Sequence, residues 1–213
     1  MNRQNLLTLL ATFALLFCFT YSCNAKGKDK AKHVVFIGLD GWGAYSLPKA
    51  DMPNVKKLME DGAYTLKKRS ALPSSSAINW ASMFMGAGPE LHGYTEWGSK
   101  TPELPSRVLN KNGIFPTVFQ LLRDARPEAE IGCLYEWEGI KYLVDTLSLS
   151  YHYHVADCNK TPKELGNMAS SYIKEKHPAL VAICYDGPDH TYNTHRLPSW
   201  KALMKDKKLP KTK

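Results

Sequence analysis

The sequence predicts an α/β protein built on a doubly wound, mostly parallel sheet with helices on both faces. Two observations predict it. Apolar runs of strand length, Val34 to Leu39, Glu130 to Tyr135 and Ala179 to Tyr185, alternate with segments of helical periodicity, the pattern of βαβ units. Each run also stops abruptly at polar residues: Asp40-Gly41, then Glu136-Trp137-Glu138-Gly139, then Asp186-Gly187-Pro188-Asp189. Buried strands do this where they deliver side chains to the carboxyl edge of a parallel sheet.

At the start of the chain, residues 1–25 carry Arg3 and the apolar stretch Leu6 to Phe19, too short to span a bilayer comfortably and of the length of a signal-peptide core. Cleavage after Ala25 predicts an exported protein of a bacterial periplasm or cell envelope. Thr20-Tyr21-Ser22-Cys23 is the alternative, a loose lipoprotein box that would place a lipid anchor on Cys23, the one expected membrane contact. Residues 26–32 form a basic linker. The domain itself, 33–195, opens with the strand Val34 to Leu39. Pro53 starts a helix in which Val55, Leu58 and Met59 follow with near-helical spacing, and Asp61-Gly62 closes it. A short strand is expected around Tyr64 to Lys67. Ala77 to Met85 reads as a helix ended by Gly86, Gly88 and Pro89. Thr101 to Pro105 reads as a loop, Thr117 to Arg123 as an amphipathic helix behind Pro116, and Pro162 to Lys176 as another helix. His152 and His154 alternate as neighbours on one strand face do, which is ordinary for surface histidines. Residues 196–213 are expected to be a solvated, Lys-rich tail.

The formal charge of +8 sits at the ends. Arg3 gives +1, residues 26–32 give +3 from four Lys against Asp29, and residues 200–213 give +5 from six Lys against Asp206, so residues 33–200 are left at −1. A nearly neutral domain gives no reason to expect a nucleic-acid partner. Cys133 and Cys184 lie in apolar strand-like runs, where a free thiol is usually a small buried hydrophobe, and no Cys pair has zinc-finger spacing.

The chemistry concentrates in Pro73 to Gly93. Three hydroxyls, Ser74, Ser75 and Ser76, stand immediately ahead of a helix, whose first backbone N–H groups lack intrahelical partners and favour an anion. A hydroxyl nucleophile, an anion cradle and the strand-end carboxylate of Asp40 together point to metal-assisted attack on a phosphate or related ester.

At these residues the chain resembles the alkaline phosphatase superfamily, in its nucleotide pyrophosphatase/phosphodiesterase branch. The branch reads Thr-Phe-Pro-Asn-His, six further residues to Gly, then Leu-Tyr-Pro-Glu-x-His-Gly. Here Ser76-Ala-Ile-Asn79 leads to Gly86, and Pro89-Glu90-Leu91-His92-Gly93 falls at the same offsets without a gap. The resemblance implies an alkaline phosphatase-like fold, two divalent metal ions, usually zinc, and a small phosphate-ester substrate. It places Ser76 at the nucleophile, with Ser75 as the fallback within the triple Ser. Asn79 matches a signature residue one turn on, as a turn-stabilising amide of the catalytic segment. Asp40 resembles a ligand of one metal, and Asp189 of Gly187-Pro188-Asp189 a ligand of the other, with Asp186 as the alternative strand-end carboxylate.

The departures are specific. The family has a His ligand four residues after that Asp, where this chain has Asn193; His190, or else His195, is near enough to substitute as the metal ligand, though neither is at the expected offset. Trp97 stands where the branch has an oxyanion-supporting Asn, which implies a different substrate pocket in which Trp97 or Trp137 stacks on an apolar or planar group. His92 reads as a structural turn residue. The Ser-Asp-His-Gly element and later His that complete the second metal site do not occur, so the domain is expected to be incomplete on its C-terminal side, with a truncated or shifted reading frame after about His190. Two functions stand as alternatives: a metal-dependent phosphate-ester hydrolase, or an inactive remnant of one. A sulfatase is the weaker sister reading, since Ser74-Ser-Ser-Ala-Ile does not match Cys/Ser-x-Pro-x-Arg.

Overall fold

In the computed structural model, residues 31–47, 49–156 and 162–189 are described. The expected signal segment and Cys23, most of the basic linker, His190 and the Lys-rich tail lie outside them. By its contacts the chain divides at Lys32, and the sheet and its helices belong to the unit His33–Lys213.

The apolar runs pair as expected. Four strands, β1 (Val34–Leu39), β2 (Ile131–Tyr135), β3 (Tyr151–His154) and β4 (Leu180–Tyr185), form one sheet in the order β1-β4-β2-β3, every pairing parallel. Among the described residues they are accompanied by α1 (Pro53–Asp61), α2 (Ser76–Met85), the single turn α3 (Pro89–His92), α4 (Val118–Ala125) and α5 (Pro162–Lys176), and residues 187–189 are also helical. The nonsequential order means that each parallel neighbour is reached by a crossover, which is what a doubly wound sheet requires.

Alternation along β2 and β4 divides two apolar layers. Ile131, Cys133, Tyr135, Ala182 and Cys184 face α2 and α4, where Ala77, Trp80, Phe84 and Phe119 close over them. Leu134, Val181 and Ile183 face the other way, against Leu165, Ala169 and Tyr172 of α5. Strands buried on both sides need no polar alternation, so β2 is a continuous apolar run with all five residues buried. α2 is apolar on most of its circumference for the same reason, with six of its ten residues buried. α4 starts where its sequence says: the Thr117 hydroxyl accepts the Gln120 N–H at 3.2 Å and satisfies one free donor of the first turn.

The structure corrects one element. Tyr64 to Lys67 is not a strand; residues 63–70 are in neither helix nor ladder, with Tyr64 and Leu66 exposed. A strand exists only with a neighbour to take its N–H and C=O groups, and the outer edge of β1 carries no partner among the described residues. α1 forms as expected, yet none of its residues is buried. No described helix is long and apolar enough to cross a membrane.

Candidate functional site at the carboxyl edge of the sheet

Alternation along β1 aims Asp40. Phe36, Gly38 and Asp40 share the face toward α2, and the Phe36 ring packs edge-on to Trp80 and Phe84. Gly38 is needed there: a Cβ would lie 2.2 Å from Cη2 of Trp80. With the indole seated against the strand, Trp80 Nε1 donates to Oδ2 of Asp40 at 3.1 Å, while the Gly41 N–H donates to Oδ1 at 2.9 Å. The Asp40 N–H continues the ladder to the Tyr185 carbonyl, tying this carboxylate to the end of β4. Gly41 has φ +66°, and a Cβ on it would stand 2.6 Å from Cα and Oδ1 of Asp189. Glycine is therefore required twice over, for its backbone angle and for the approach of the second carboxylate. Asp40 and Asp189, 149 positions apart, thus meet across Gly41.

The serines arrive from the other side. Ser75 is the N-cap of α2, extended at φ −148°, ψ 165°, but its hydroxyl makes no capping bond. Its Oγ is buried without a hydrogen-bond partner among the described residues. Ser76 begins the helix and is half-buried. The approach is clamped by Asn79, whose Oδ1 accepts the Ala71 N–H at 2.8 Å and whose Nδ2 donates to the carbonyls of Ser75, 3.0 Å, and Ala71, 3.4 Å. Both amide protons are spent on the backbone, so Asn79 holds the turn and has no donor left for a ligand.

A cavity of about 640 Å³ lies between these groups, lined by Asp40, Gly41, Lys68, Ser74, Ser75 and Asp189 among others. That is the size of a small-molecule site. Lys68 is a residue that sequence reasoning missed. It belongs to the run Lys67-Lys68-Arg69 in the segment read as a strand and its sequel, and nothing in that run singles it out. A second cavity, about 650 Å³ between Glu130, Tyr151, Tyr172 and Lys176, contains none of the predicted site residues. The first is the candidate site.

Trp97 and Trp137 stack at 6.3 Å between ring centroids and 28° between planes. Trp137 shares a crevice with Asp40, Trp80 and Asp186, so the pair stands beside the first carboxylate; Trp97 is 71% exposed. His92 is fully buried away from any ligand role. Its Nδ1 accepts the Tyr94 N–H at 3.1 Å, which leaves the proton on Nε2, 3.1 Å from the Ser82 hydroxyl. Burial lowers its pKa, the Glu90 charge pulling partly back. Burial, and then Cys133 and Asp40, push the Cys184 thiol well up, which suits an inert core residue.

The family model described as type I phosphodiesterase / nucleotide pyrophosphatase matches residues 34–195. The chain belongs to this family. Structures of phosphonoacetate hydrolase from Sinorhizobium meliloti 1021 are similar: the complex with phosphonoacetate at TM-score 0.48 and 18% identity over 74% of this chain, the complex with phosphonoformate at 0.47 and 19% over 73%. The chain spans 47% and 46% of those chains. No curated protein matches it.

For a type I phosphodiesterase relative, the question is whether the site fits a divalent cation. Asp40, Asp189 and a serine hydroxyl are hard oxygen donors suited to one. Asp189 occupies the space a Gly41 Cβ would fill, and Ser75, whose Oγ is buried without a partner among the described residues, lines the same cavity. Among the described residues, however, no three His, Cys, Asp or Glu side chains converge on one point. Zinc takes about four ligands, so these residues supply part of one shell and not two complete ones.

Proposed function

We propose that the chain is an exported, metal-dependent hydrolase of small phosphate esters that works through a serine hydroxyl. The observation that carries this is the cavity in which Asp40, Asp189, Ser74 and Ser75 converge at the start of α2. In the family's register the attacking oxygen is Ser76 Oγ, although the serines lining the cavity are Ser74 and Ser75; it bonds to phosphorus as the ester's alkoxy oxygen leaves with a proton, and water then cleaves the seryl–phosphorus bond. A cation held by Asp40 and Asp189 would supply positive charge that eases loss of the hydroxyl proton and offsets charge on the phosphoryl oxygens. The chain's own share is positioning. The first N–H groups of α2 face a phosphoryl oxygen, Lys68 adds charge at the mouth, and Trp137 with Trp97 offers a flat surface to the leaving group.

Hydrolysis of bis(4-nitrophenyl) phosphate with added zinc tests the proposal, with an expected loss of at least 100-fold in Ser76→Ala. Ser75 is the second reading, favoured by its buried Oγ without a partner: loss in Ser75→Ala and retention in Ser76→Ala would transfer the role to it. No turnover above a metal blank would leave the remnant reading, favoured by the partial ligand set.

A further inference from the structure

Glu136 has no part in the proposed chemistry, yet it is the most buried carboxylate beside it. It follows β2 directly and is 5% exposed. The Glu136 N–H donates to the Cys184 carbonyl at 3.1 Å, and its own carbonyl lies 2.9 Å from Nε2 of His154, so its backbone is fixed between two strands. Its Oε2 accepts the N–H of Asp186 at 2.7 Å and of Gly187 at 3.2 Å. Its Oε1 is buried with no partner among the described residues.

Those two bonds reach the segment that needs them. β4 ends at Tyr185, and the sheet offers Asp186 and Gly187 no further ladder. A side chain from the neighbouring strand replaces it. Two residues past Gly187, Asp189 comes to rest against Gly41. An apolar residue would suit the burial of position 136, but it would leave two backbone donors without an acceptor.

We propose that Glu136 is a positioning residue: it holds the start of the helical stretch that follows β4, residues 187–189, and thereby sets Asp189 opposite Asp40. Its catalytic consequence rests on the function proposed above; the positioning itself does not. What matters is an acceptor at the right reach rather than a charge. Glu136→Gln keeps the reach and one acceptor oxygen, whereas Glu136→Asp keeps the charge and falls one methylene short.

The test has two parts on the full chain. In metal-free protein, amide hydrogen exchange at Asp186 and Gly187 should accelerate at least tenfold in Glu136→Asp and stay within threefold of wild type in Glu136→Gln, with Val181 and Ile183 protected in both. Zinc affinity, read by competition with a chromogenic chelator, should fall at least tenfold in Glu136→Asp and no further in Glu136→Asp/Asp189→Asn than in Asp189→Asn alone. Unchanged exchange in Glu136→Asp, or equal damage in Glu136→Gln, overturns the proposal. If wild type binds no zinc, the function proposed above fails, and the exchange pattern still decides the role of Glu136.

Discussion

β1 and β4 are adjacent, parallel and in register, with Val35 beside Val181 and Ile37 beside Ile183 on one face of the sheet. Val181 and Ile183 are 0% and 5% exposed; Val35 and Ile37 are 45% and 58% exposed. The residue types are the same, so composition does not explain the difference. α5 covers β4 and β2 on this face, and no described helix covers β1. β4 also has strands on both sides, whereas β1 has one. The candidate site lies on the opposite face of β1, where Phe36 packs on Trp80 of α2 and Asp40 accepts its indole N–H.

The comparison breaks most readily at Trp80. Trp80→Ala removes the indole that seats Phe36 and Gly38 and holds Asp40, and should cost ~3–5 kcal/mol in urea unfolding. Trp80→Phe should recover most of that stability without the bond to Asp40, which separates packing from the hydrogen bond. Next in size is the matched pair. Ile183→Ala should cost ~2–5 kcal/mol and Ile37→Ala less than ~1 kcal/mol, because truncating a half-exposed side chain opens no cavity. Equal costs would mean that β1 is covered in solution by something outside the described residues.

The smallest effect sharpens the well-covered side. His92→Gln should cost ~1 kcal/mol at neutral pH through its lost bonds to Tyr94 and Ser82. The pKa of His92 is lower folded than its ordinary 6.5, so the unfolded chain binds the proton more readily. Its contribution is complete above pH 6.5 and declines as pH falls below it. Wild type and variant should therefore converge in stability on acidification; a constant gap down to pH 5 would contradict a neutral buried imidazole.

Much of this was legible along the chain. The three long apolar runs and the helix Pro162–Lys176 come from periodicity, and the site segment comes from its offsets to Gly86 and Gly93. The expected strand at Tyr64 was not legible, because β propensity describes a residue's fit to a sheet and not whether an edge is available. Lys68 was hidden in an ordinary basic run. Glu136 was visible as a strand-end carboxylate, and its orientation toward Asp186 was not, since that depends on which strand lies next to β2.

The sequence by itself determined the fold class and the family, and singled out Asp40, Asp186 or Asp189 and the three serines as candidates, because strand length, helical period and motif spacing are local along the chain. Only the tertiary structure decided that Asp189 meets Asp40 across Gly41, that Asn79 is spent on its own turn, and that Glu136 accepts the N–H groups of Asp186 and Gly187. Those facts depend on strand order and on which side chains fill the space between elements, and neither is written in any single segment.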